Sequence, residues 1–157
     1  MCIMLREMVP DDAEPLFRME SQPAIVRYQY YSPFTRERAE TYVKEAIEAA
    51  GQVPRTWMEL SIIRDGLFIG RVGGSLGWPE AMIWYAVDTP FQRQGFATEA
   101  VRQFLAILSQ RGFTKVSLEC DPANEASWHL AERLGFQRDD ELTTEDSWTY
   151  ERILGAL

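Results

Sequence analysis

Residues 88–100 read DTPFQRQGFATEA, the stretch with the clearest structural signal in the chain. It follows an apolar run at 81–87, which is typical of a buried strand, and it leads into a helix predicted over 95–111. The first amide groups of a helix have no partner within it, and the helix dipole favours an anion there. Gly95 would let the backbone approach a ligand closely, as a phosphate requires. Spacing alone equally allows a plain strand-to-helix turn in which Gly95 is an ordinary cap.

Length, composition and charge exclude several classes of protein. The chain has 157 residues, of which 46% are hydrophobic and 25% charged, so a globular protein is expected rather than a disordered or fibrous one. No composition shift divides it, and we predict a single domain over residues 1–157. The 16 Lys and Arg against 24 Asp and Glu give a net charge of −8. That charge disfavours binding to nucleic acid and slightly favours a cationic partner such as an amine.

The cysteine, histidine and apolar patterns predict neither a metal site nor a membrane partner. Cys2, Cys120 and His129 are the only residues of their types, whereas a structural zinc site takes four such ligands. No apolar run approaches the roughly 20 residues of a membrane span, and the first residues lack the apolar core of a signal peptide. We therefore expect a cytoplasmic protein.

Outward from the turn, the hydrophobic pattern predicts strands and helices in alternation. Asp11 with Glu14 forms a predicted capping box, and Asp65-Gly66 a predicted hairpin turn. The strand–helix–strand unit at 81–120 is a right-handed crossover, so its two strands are predicted to be parallel in a mixed α/β sheet. Strands are predicted at 3–8, 56–64, 67–73, 81–87, 115–120, 136–142 and 148–154, and helices at 11–19, 35–50, 95–111 and 124–134, with an irregular loop at 21–34.

Three motifs carry a resemblance to a known family. QRQGFA at 92–97 fits the Q/R-x-x-G-x-G/A motif of the GCN5-related N-acetyltransferases, the GNAT superfamily. LECDPAN at 118–124 and LGF at 134–136 resemble that family's fifth strand, the start of its next helix and the close of that helix. NEAS at 124–127 matches the N-x-x-S of the family's RimJ/RimL-like branch, the ribosomal-protein N-terminal acetyltransferases. The element order fits essentially the whole chain.

The resemblance implies the GNAT fold and an acetyl-CoA site. That α+β fold has a mixed, mostly antiparallel sheet of about six to seven strands, flanked by about four helices, and its fourth and fifth strands are parallel and splayed apart. Acetyl-CoA, the acetyl donor, would lie between those two strands. The residues that would hold it are Tyr85, Ala86 and Val87 along the pantetheine arm, Arg93, Gln94, Gly95, Phe96, Ala97 and Thr98 at the pyrophosphate, and Asn124.

The chemistry of acetyl transfer asks for a base and an acid. An amine attacks a thioester only when neutral, yet a Lys-like amine has a pKa of about 10.4 and an α-amine one of about 7.7–8.0, so a base helps. The departing thiolate resembles a thiol of pKa about 8.5, so a hydroxyl donor helps it leave. The resemblance makes Glu119 the candidate base and Ser127 the candidate acid, with Glu59 as a second candidate base. Alternatively, Glu119 is a solvated strand carboxylate without a catalytic role, and the Ser127 hydroxyl supports the start of the helix.

Two positions depart from the family pattern. Many relatives carry a Tyr acid one turn beyond the serine of N-x-x-S, where this chain has Ala131. Many also carry a carboxylate early in the fourth strand, where this chain has Ala81 and Met82, with Glu80 the nearest. The resemblance therefore supports the acid and the base less fully than the acetyl-CoA site.

The acceptor is expected opposite the donor, along the loop between the first two helices, where Tyr28, Tyr30 and Tyr31 cluster. Aromatic rings suit an aliphatic or cationic amine. The sequence thus predicts an enzyme that moves acetyl from acetyl-CoA to a primary amine by direct attack, without a covalent intermediate or a metal. A protein N-terminus and a small amine, such as a polyamine or an aminoglycoside, both remain open. The alternatives also include a non-catalytic acyl-CoA-binding or regulatory module, and a homodimer through the closing strands around Trp148 is a further expectation.

Overall fold

The computed structural model describes residues 2–155, which form one sheet with helices on both faces. The strands are β1 (Met4–Glu7), β2 (Trp57–Arg64), β3 (Leu67–Gly77), β4 (Glu80–Val87), β5 (Lys115–Cys120), β6 (Gln137–Arg138) and β7 (Trp148–Ile153). The helices are α1 (Ala13–Glu20), α2 (Pro23–Val26), α3 (Arg36–Ala50), α4 (Phe96–Gln110) and α5 (Glu125–Arg133).

The strand order is β1-β2-β3-β4-β5-β7-β6, and within residues 2–155 β4 and β5 are the one parallel pair. The remaining neighbours pair antiparallel. This arrangement confirms the predicted fold class, including the crossover through α4. The parallel ladder spans three residue pairs, from Glu80 opposite Lys115 to Met82 opposite Ser117. Beyond Met82 the two strands splay apart, and this divergence positions the site.

Each face of the sheet carries its own layer of helices. Helices α4 and α5 pack on one face, where Phe104 and Leu130 are buried against the strands. Helices α1 and α3 pack on the other face, where Leu16 and Val43 are buried. The apolar stripes at helical spacing predicted both α3 and α4, because each stripe is the face that the helix turns toward the sheet.

The predicted capping box of Asp11 and Glu14 is wrong. Asp12 folds back instead, and its carboxylate accepts from the Val9 N–H at 3.0 Å and from Arg6 at 2.7 Å. Asp12 is buried. Burial alone would raise the pKa of Asp12, but these hydrogen bonds hold it below its usual value. The carboxylate therefore ties the start of the helical region to β1.

Three predicted boundaries also differ from the structure. The loop predicted at 21–34 contains the one-turn helix α2. Strand β3 runs on to Gly77, beyond the end predicted at residue 73, where Gly73 and Gly74 suggested a break. A Cβ at Gly73 would lie 2.6 Å from the Glu59 carboxylate, so that glycine permits close packing rather than a turn. The strand predicted at 136–142 is only the two-residue β6, because the chain leaves the sheet edge earlier than the pattern indicated.

Candidate active site

A cleft of about 90 Å³ opens where β4 and β5 splay apart. Helix α5 and the segment between α2 and α3 contribute side chains to it, together with both strands. Its lining residues are Tyr28, Gln29, Tyr30, Ile83, Trp84, Tyr85, Leu118, Glu119, Cys120, Asp121, Asn124 and Ser127. The splay thus brings the candidate base, the candidate acid and residues from both predicted binding sites into one cavity.

The end of β4 has a backbone edge that a ligand can use. One edge of residues 85–87 pairs with β3, with Tyr85 opposite Val72 and Val87 opposite Gly70. In the described part of the chain, pairing with β5 ends at Met82, so the other edge borders the cleft. Unpaired strand amides and carbonyls bind an extended chain as an added strand would. The amide-bearing pantetheine arm is such a chain, so this edge fits it.

The turn before α4 has the backbone form of an anion site. Gly95 is the N-cap of α4 with a φ of 85°, and Arg93 has a φ of 60°. These two left-handed residues turn the chain sharply, so the unpaired amides at the start of α4 point out of the turn. The side chain of Phe96 is buried, which leaves its amide as the group available to a ligand. The predicted pyrophosphate residues of this turn and the first turn of α4 are Arg93, Gln94, Gly95, Phe96, Ala97 and Thr98.

Two glutamines brace this turn from within. The side chain of Gln92 donates to the Val87 carbonyl at 2.9 Å, and that of Gln94 donates to the Pro90 carbonyl at 3.0 Å. Residues 92–95 are nonetheless exposed. Their side chains therefore hold the backbone in shape while its amides stay open to solvent, as a phosphate site needs.

Three side chains that carry protons meet in the cleft. Ser127 of α5 is 7% exposed and lines the cleft together with Tyr85 of β4 and Cys120 of β5. Burial raises the pKa of Tyr85 to about 12, against a smaller opposing effect of the Ser127 hydroxyl. Burial also raises the pKa of Cys120 to about 11. The phenol and the thiol are therefore both protonated at neutral pH, and Cys120 is poorly suited to act as a nucleophile.

Glu119 and Asn124 reach the cleft from the end of β5 and the start of α5. Glu119 lies opposite Thr149 of β7 and is exposed. Asn124 occupies the N-cap position of α5 as predicted, but its side chain makes no capping hydrogen bond. Its backbone carbonyl accepts from the Ser127 N–H at 3.1 Å instead. The Asn124 side-chain amide is thus open to a ligand in the cleft.

The acceptor segment, residues 28–31, borders the cleft on the side of α1 and α3. Tyr28 and Tyr30 line the cleft, and Tyr30 is 79% exposed. Tyr31 turns away from it, and its hydroxyl donates to Glu20 at 2.8 Å and accepts from Arg71 at 3.0 Å. Two of the three tyrosines expected at the acceptor therefore line the cleft, and the third does not.

Glu59 lies outside the cleft, among buried polar side chains. It is 1% exposed. Its Oε1 accepts from the Tyr42 hydroxyl at 2.6 Å and from the indole N–H groups of Trp57 at 3.1 Å and Trp84 at 2.8 Å. Its Oε2 accepts from Arg71 at 3.2 Å. A carboxylate with four donors suits a structural role better than that of a base, so the structure separates Glu59 from the candidate site.

A second groove, of about 480 Å³, lies between α5 and the strands β6 and β7. The ring centroids of Trp128 and Trp148 are 5.8 Å apart there, and the Arg138 guanidinium lies 4.7 Å from the Trp148 ring centroid. Trp148 thus belongs to this groove and not to the cleft. The expected homodimer around Trp148 stays a prediction.

Across residues 2–155, no three His, Cys, Asp or Glu side chains converge in the way that a metal ion requires. None of the helices in that range combines the length and apolarity needed to cross a bilayer.

The structure thus has a splayed parallel strand pair, β4 and β5, joined by a helix whose first amides are exposed, the arrangement expected for an acyl-CoA donor. The chain belongs to the acetyltransferase (GNAT) family, because the family's domain model matches residues 3–137. It is therefore an acetyl-CoA-dependent acyltransferase, as the sequence predicted.

Individual relatives are similar to this chain at low identity. The N-acetyltransferase p20 of Bacillus licheniformis, itself uncharacterized, is 27% identical over 166 residues, covering 99% of this chain and 87% of that protein. RimL, a ribosomal L7/L12 alpha-N-protein acetyltransferase solved with coenzyme A, has a TM-score of 0.85 at 19% identity, covering 98% of this chain and 95% of that one. Spermidine N-acetyltransferase from Vibrio cholerae, solved with CoA and spermine, has a TM-score of 0.83 at 17% identity, covering 97% and 95%. Both solved structures share the fold of this chain.

Sequence reasoning missed two features around the site. The first is the Tyr85 side chain, which lines the cleft together with Ser127, whereas Tyr85 was expected only along the pantetheine arm. The second is the buried cluster around Arg71. The available signal for the cluster was a charged residue inside the apolar run of β3, with Glu59 in the facing strand. A buried charge needs a partner, so such a pair indicates an internal ion pair.

Proposed function

We propose that the protein transfers the acetyl group of acetyl-CoA to a primary amine that enters the cleft beside Tyr28 and Tyr30. The carrying observation is that Glu119, an exposed carboxylate, and Ser127, a buried hydroxyl, line one cleft beside the open edge of β4. Acetyl-CoA supplies an activated acyl carbon. The residues of the chain bind it, orient the amine and move two protons.

Backbone groups hold the donor in this proposal. Residues 85–87 bind the pantetheine arm along the open edge of β4, and the amides of residues 93–98 bind the pyrophosphate at the start of α4. The left-handed Gly95 and Arg93, which expose those amides, support the second assignment. The side chain of Asn124, which makes no capping bond, adds a contact from α5.

Glu119 is the proposed base. It takes a proton from the ammonium group of the acceptor, directly or through a water molecule, because only the neutral amine has a lone pair for attack. The amine nitrogen then forms a bond to the acyl carbon and releases its second proton to water in the cleft, and the bond from that carbon to sulfur breaks. Exposure of Glu119 at the cleft supports this role, because the carboxylate can pass its proton on to solvent.

Ser127 is the proposed acid for the departing thiolate. Its hydroxyl gives a proton to the sulfur and recovers one from Tyr85, which lines the same cleft. The Tyr85 phenolate then regains a proton from water, because burial raises the pKa of the phenol to about 12. Tyr85 would thereby supply, from β4, a hydroxyl in place of the one that Ala131 lacks on α5. The enzyme forms no covalent bond to the acetyl group in this scheme.

The lining of the cleft favours a positively charged acceptor. Glu119 and Asp121 contribute carboxylates, and no Lys or Arg of the described residues lines the cleft. Tyr28, Tyr30 and Trp84 add ring faces, which attract ammonium groups. A small cationic amine and a protein N-terminus both satisfy this chemistry.

A thiol-release assay with acetyl-CoA and a panel of amines tests the proposal. The panel holds polyamines, aminoglycosides, amino acids and peptides with varied N-termini. We expect turnover with a cationic amine, and we expect Glu119→Gln to lower kcat by about 100-fold. Glu48→Gln, which changes an exposed carboxylate on α3, is the matched control and leaves kcat unchanged.

A non-catalytic acyl-CoA-binding module is the competing function. It predicts binding of acetyl-CoA without turnover on any amine of the panel, and no effect of Glu119→Gln or Ser127→Ala on binding. Absence of acetyl-CoA binding would refute both functions. The amine assay therefore separates the two functions, and a binding titration with acetyl-CoA tests the donor site itself.

A further inference from the structure

We propose that Tyr31 is a positioning residue, which fixes the acceptor segment to the sheet so that Tyr28 and Tyr30 face the amine. The inference rests on the proposed function and deepens it, because it separates the tyrosines that contact the acceptor from the one that holds them. Tyr31 was expected to contact the acceptor itself. Its hydroxyl points instead into a buried network, defined as Glu20, Tyr31, Tyr42, Glu59 and Arg71.

Arg71 is the centre of this network. It lies on β3 with 5% exposure, and its Nε donates to Glu20 at 2.8 Å. Its two Nη groups donate to Tyr31 at 3.0 Å, to Tyr42 at 3.0 Å and to Glu59 at 3.2 Å. Burial acts to lower the pKa of Arg71, but the surrounding oxygen atoms raise it well above its usual value. The guanidinium is thus a fixed cation to which three elements and the acceptor segment are attached.

Tyr31 anchors an otherwise lightly held segment. Two backbone hydrogen bonds flank Tyr31. The Gln29 N–H donates to the Val26 carbonyl at 2.9 Å, and the Phe34 N–H donates to the Glu20 carbonyl at 2.9 Å. Between those two points the Tyr31 hydroxyl bonds to both Glu20 and Arg71. The large exposure of Tyr30 shows that its own ring does little to hold the segment. Loss of the Tyr31 hydroxyl therefore releases the cleft-lining residues more than it weakens the core.

The same network fixes the opposite side of the acceptor space. Oε2 of Glu59 accepts a hydrogen bond from Arg71, and Oε1 of Glu59 accepts one from the indole N–H of Trp84. Trp84 lines the cleft from β4. One guanidinium thus sets the separation between the acceptor segment and Trp84. Small displacements of groups that orient a substrate reduce rates strongly, so this separation influences binding of the amine and not only stability.

Tyr31→Phe and Tyr42→Phe form a matched pair that tests the inference. Each removes one hydroxyl that bonds to Arg71 and to a carboxylate of the network. Tyr42 belongs to α3 and does not line the cleft, and Glu59 keeps both indole donors without it. In the amine assay, we expect Tyr31→Phe to raise the acceptor KM by about five- to tenfold, with the acetyl-CoA KM unchanged. We expect Tyr42→Phe to lower Tm comparably and to leave the acceptor KM unchanged.

Amide hydrogen exchange followed by mass spectrometry gives a readout that needs no activity. Tyr31→Phe should speed exchange at residues 27–31, whereas Tyr42→Phe should not. Equal acceptor KM values for wild type and Tyr31→Phe, or equal effects of the two variants on KM and exchange, would overturn the inference. If wild type turns over no amine, the proposed function fails, and the exchange comparison still tests whether Tyr31 holds the segment.

Discussion

The indole N–H of Trp84 reaches Oε1 of Glu59 at 2.8 Å across the backbone of β3. Gly73 lies between them, because it is opposite Glu59 on β2 and opposite Trp84 on β4. The missing side chain at Gly73 leaves the space through which the two side chains meet. Trp84, which lines the cleft, is thereby held by the Glu59 carboxylate, which is buried outside the cleft.

Gly73→Ala should destabilise the protein by about 1–3 kcal/mol, because overpacking a filled site forces its neighbours to move. The added Cβ would lie 2.6 Å from the Glu59 carboxylate. Urea unfolding measures the change. Gly77→Ala on the same strand is the control, since its Cβ would approach no atom closer than 3.9 Å. Equal stability losses for the two variants would contradict the account of this packing.

Gly95→Ala should weaken acetyl-CoA binding beyond its effect on stability. A side chain at a φ of 85° costs about 1–2 kcal/mol of backbone strain and shifts the amides at the start of α4. We expect the acetyl-CoA Kd to rise about tenfold or more, as loss of about 1.4 kcal/mol of binding energy would give. Calorimetric titration measures it.

Gly112→Ala controls for that strain. Gly112 follows the other end of α4 with a φ of 86°, and its Cβ would meet the nearest atom at an ordinary 3.6 Å. It should cost similar stability and leave the Kd unchanged. A rise in Kd for both variants would mean that strain anywhere on α4 matters, and that Gly95 is not part of the donor site.

Ser127→Ala should lower kcat by about 100-fold, the lower end of the typical contribution of a general acid. Because Tyr85 acts through Ser127 in this scheme, Tyr85→Phe should lower kcat as well, and the double variant should be no slower than Ser127→Ala. Steady-state kinetics measure these effects, with Ser109→Ala on α4 as the control. Multiplicative losses in the double variant would show that the two hydroxyls act separately.

Alkylation of Cys120 should be slow at pH 8 and should speed up as pH rises. The thiolate is the reactive form, and burial raises the pKa of Cys120 to about 11, so little thiolate is present at pH 8. The rate should therefore increase about tenfold per pH unit below the pKa. Exposed Cys2 is an internal comparison in a mass-spectrometric time course. Equal rates at the two cysteines at pH 8 would contradict the burial of Cys120.

The sequence predicted the elements whose pattern is local. The stripe of α4, the turn at 88–100 and the parallel crossover follow from periodicity and from chirality rules, and the structure has all three. The direction of Tyr31 had no such signal, because its partners Glu20 and Arg71 are 11 and 40 residues away in the chain. The course of β3 through Gly73 was missed for the same reason. In the sequence alone, a glycine such as Gly73 that makes room for a distant carboxylate cannot be distinguished from a glycine that forms a turn.

The destination of a labelled acetyl group distinguishes direct transfer to an amine from transfer through an acetylated protein. The protein is incubated with isotopically labelled acetyl-CoA and the amine panel, and mass spectrometry follows both the amines and the protein. Direct transfer predicts label in an amide on one cationic primary amine, matched by an equal amount of released CoA, and no label on the protein during turnover. Label held by the protein as an intermediate, or CoA release without any acetylated amine, would contradict direct transfer in the cleft between β4 and β5.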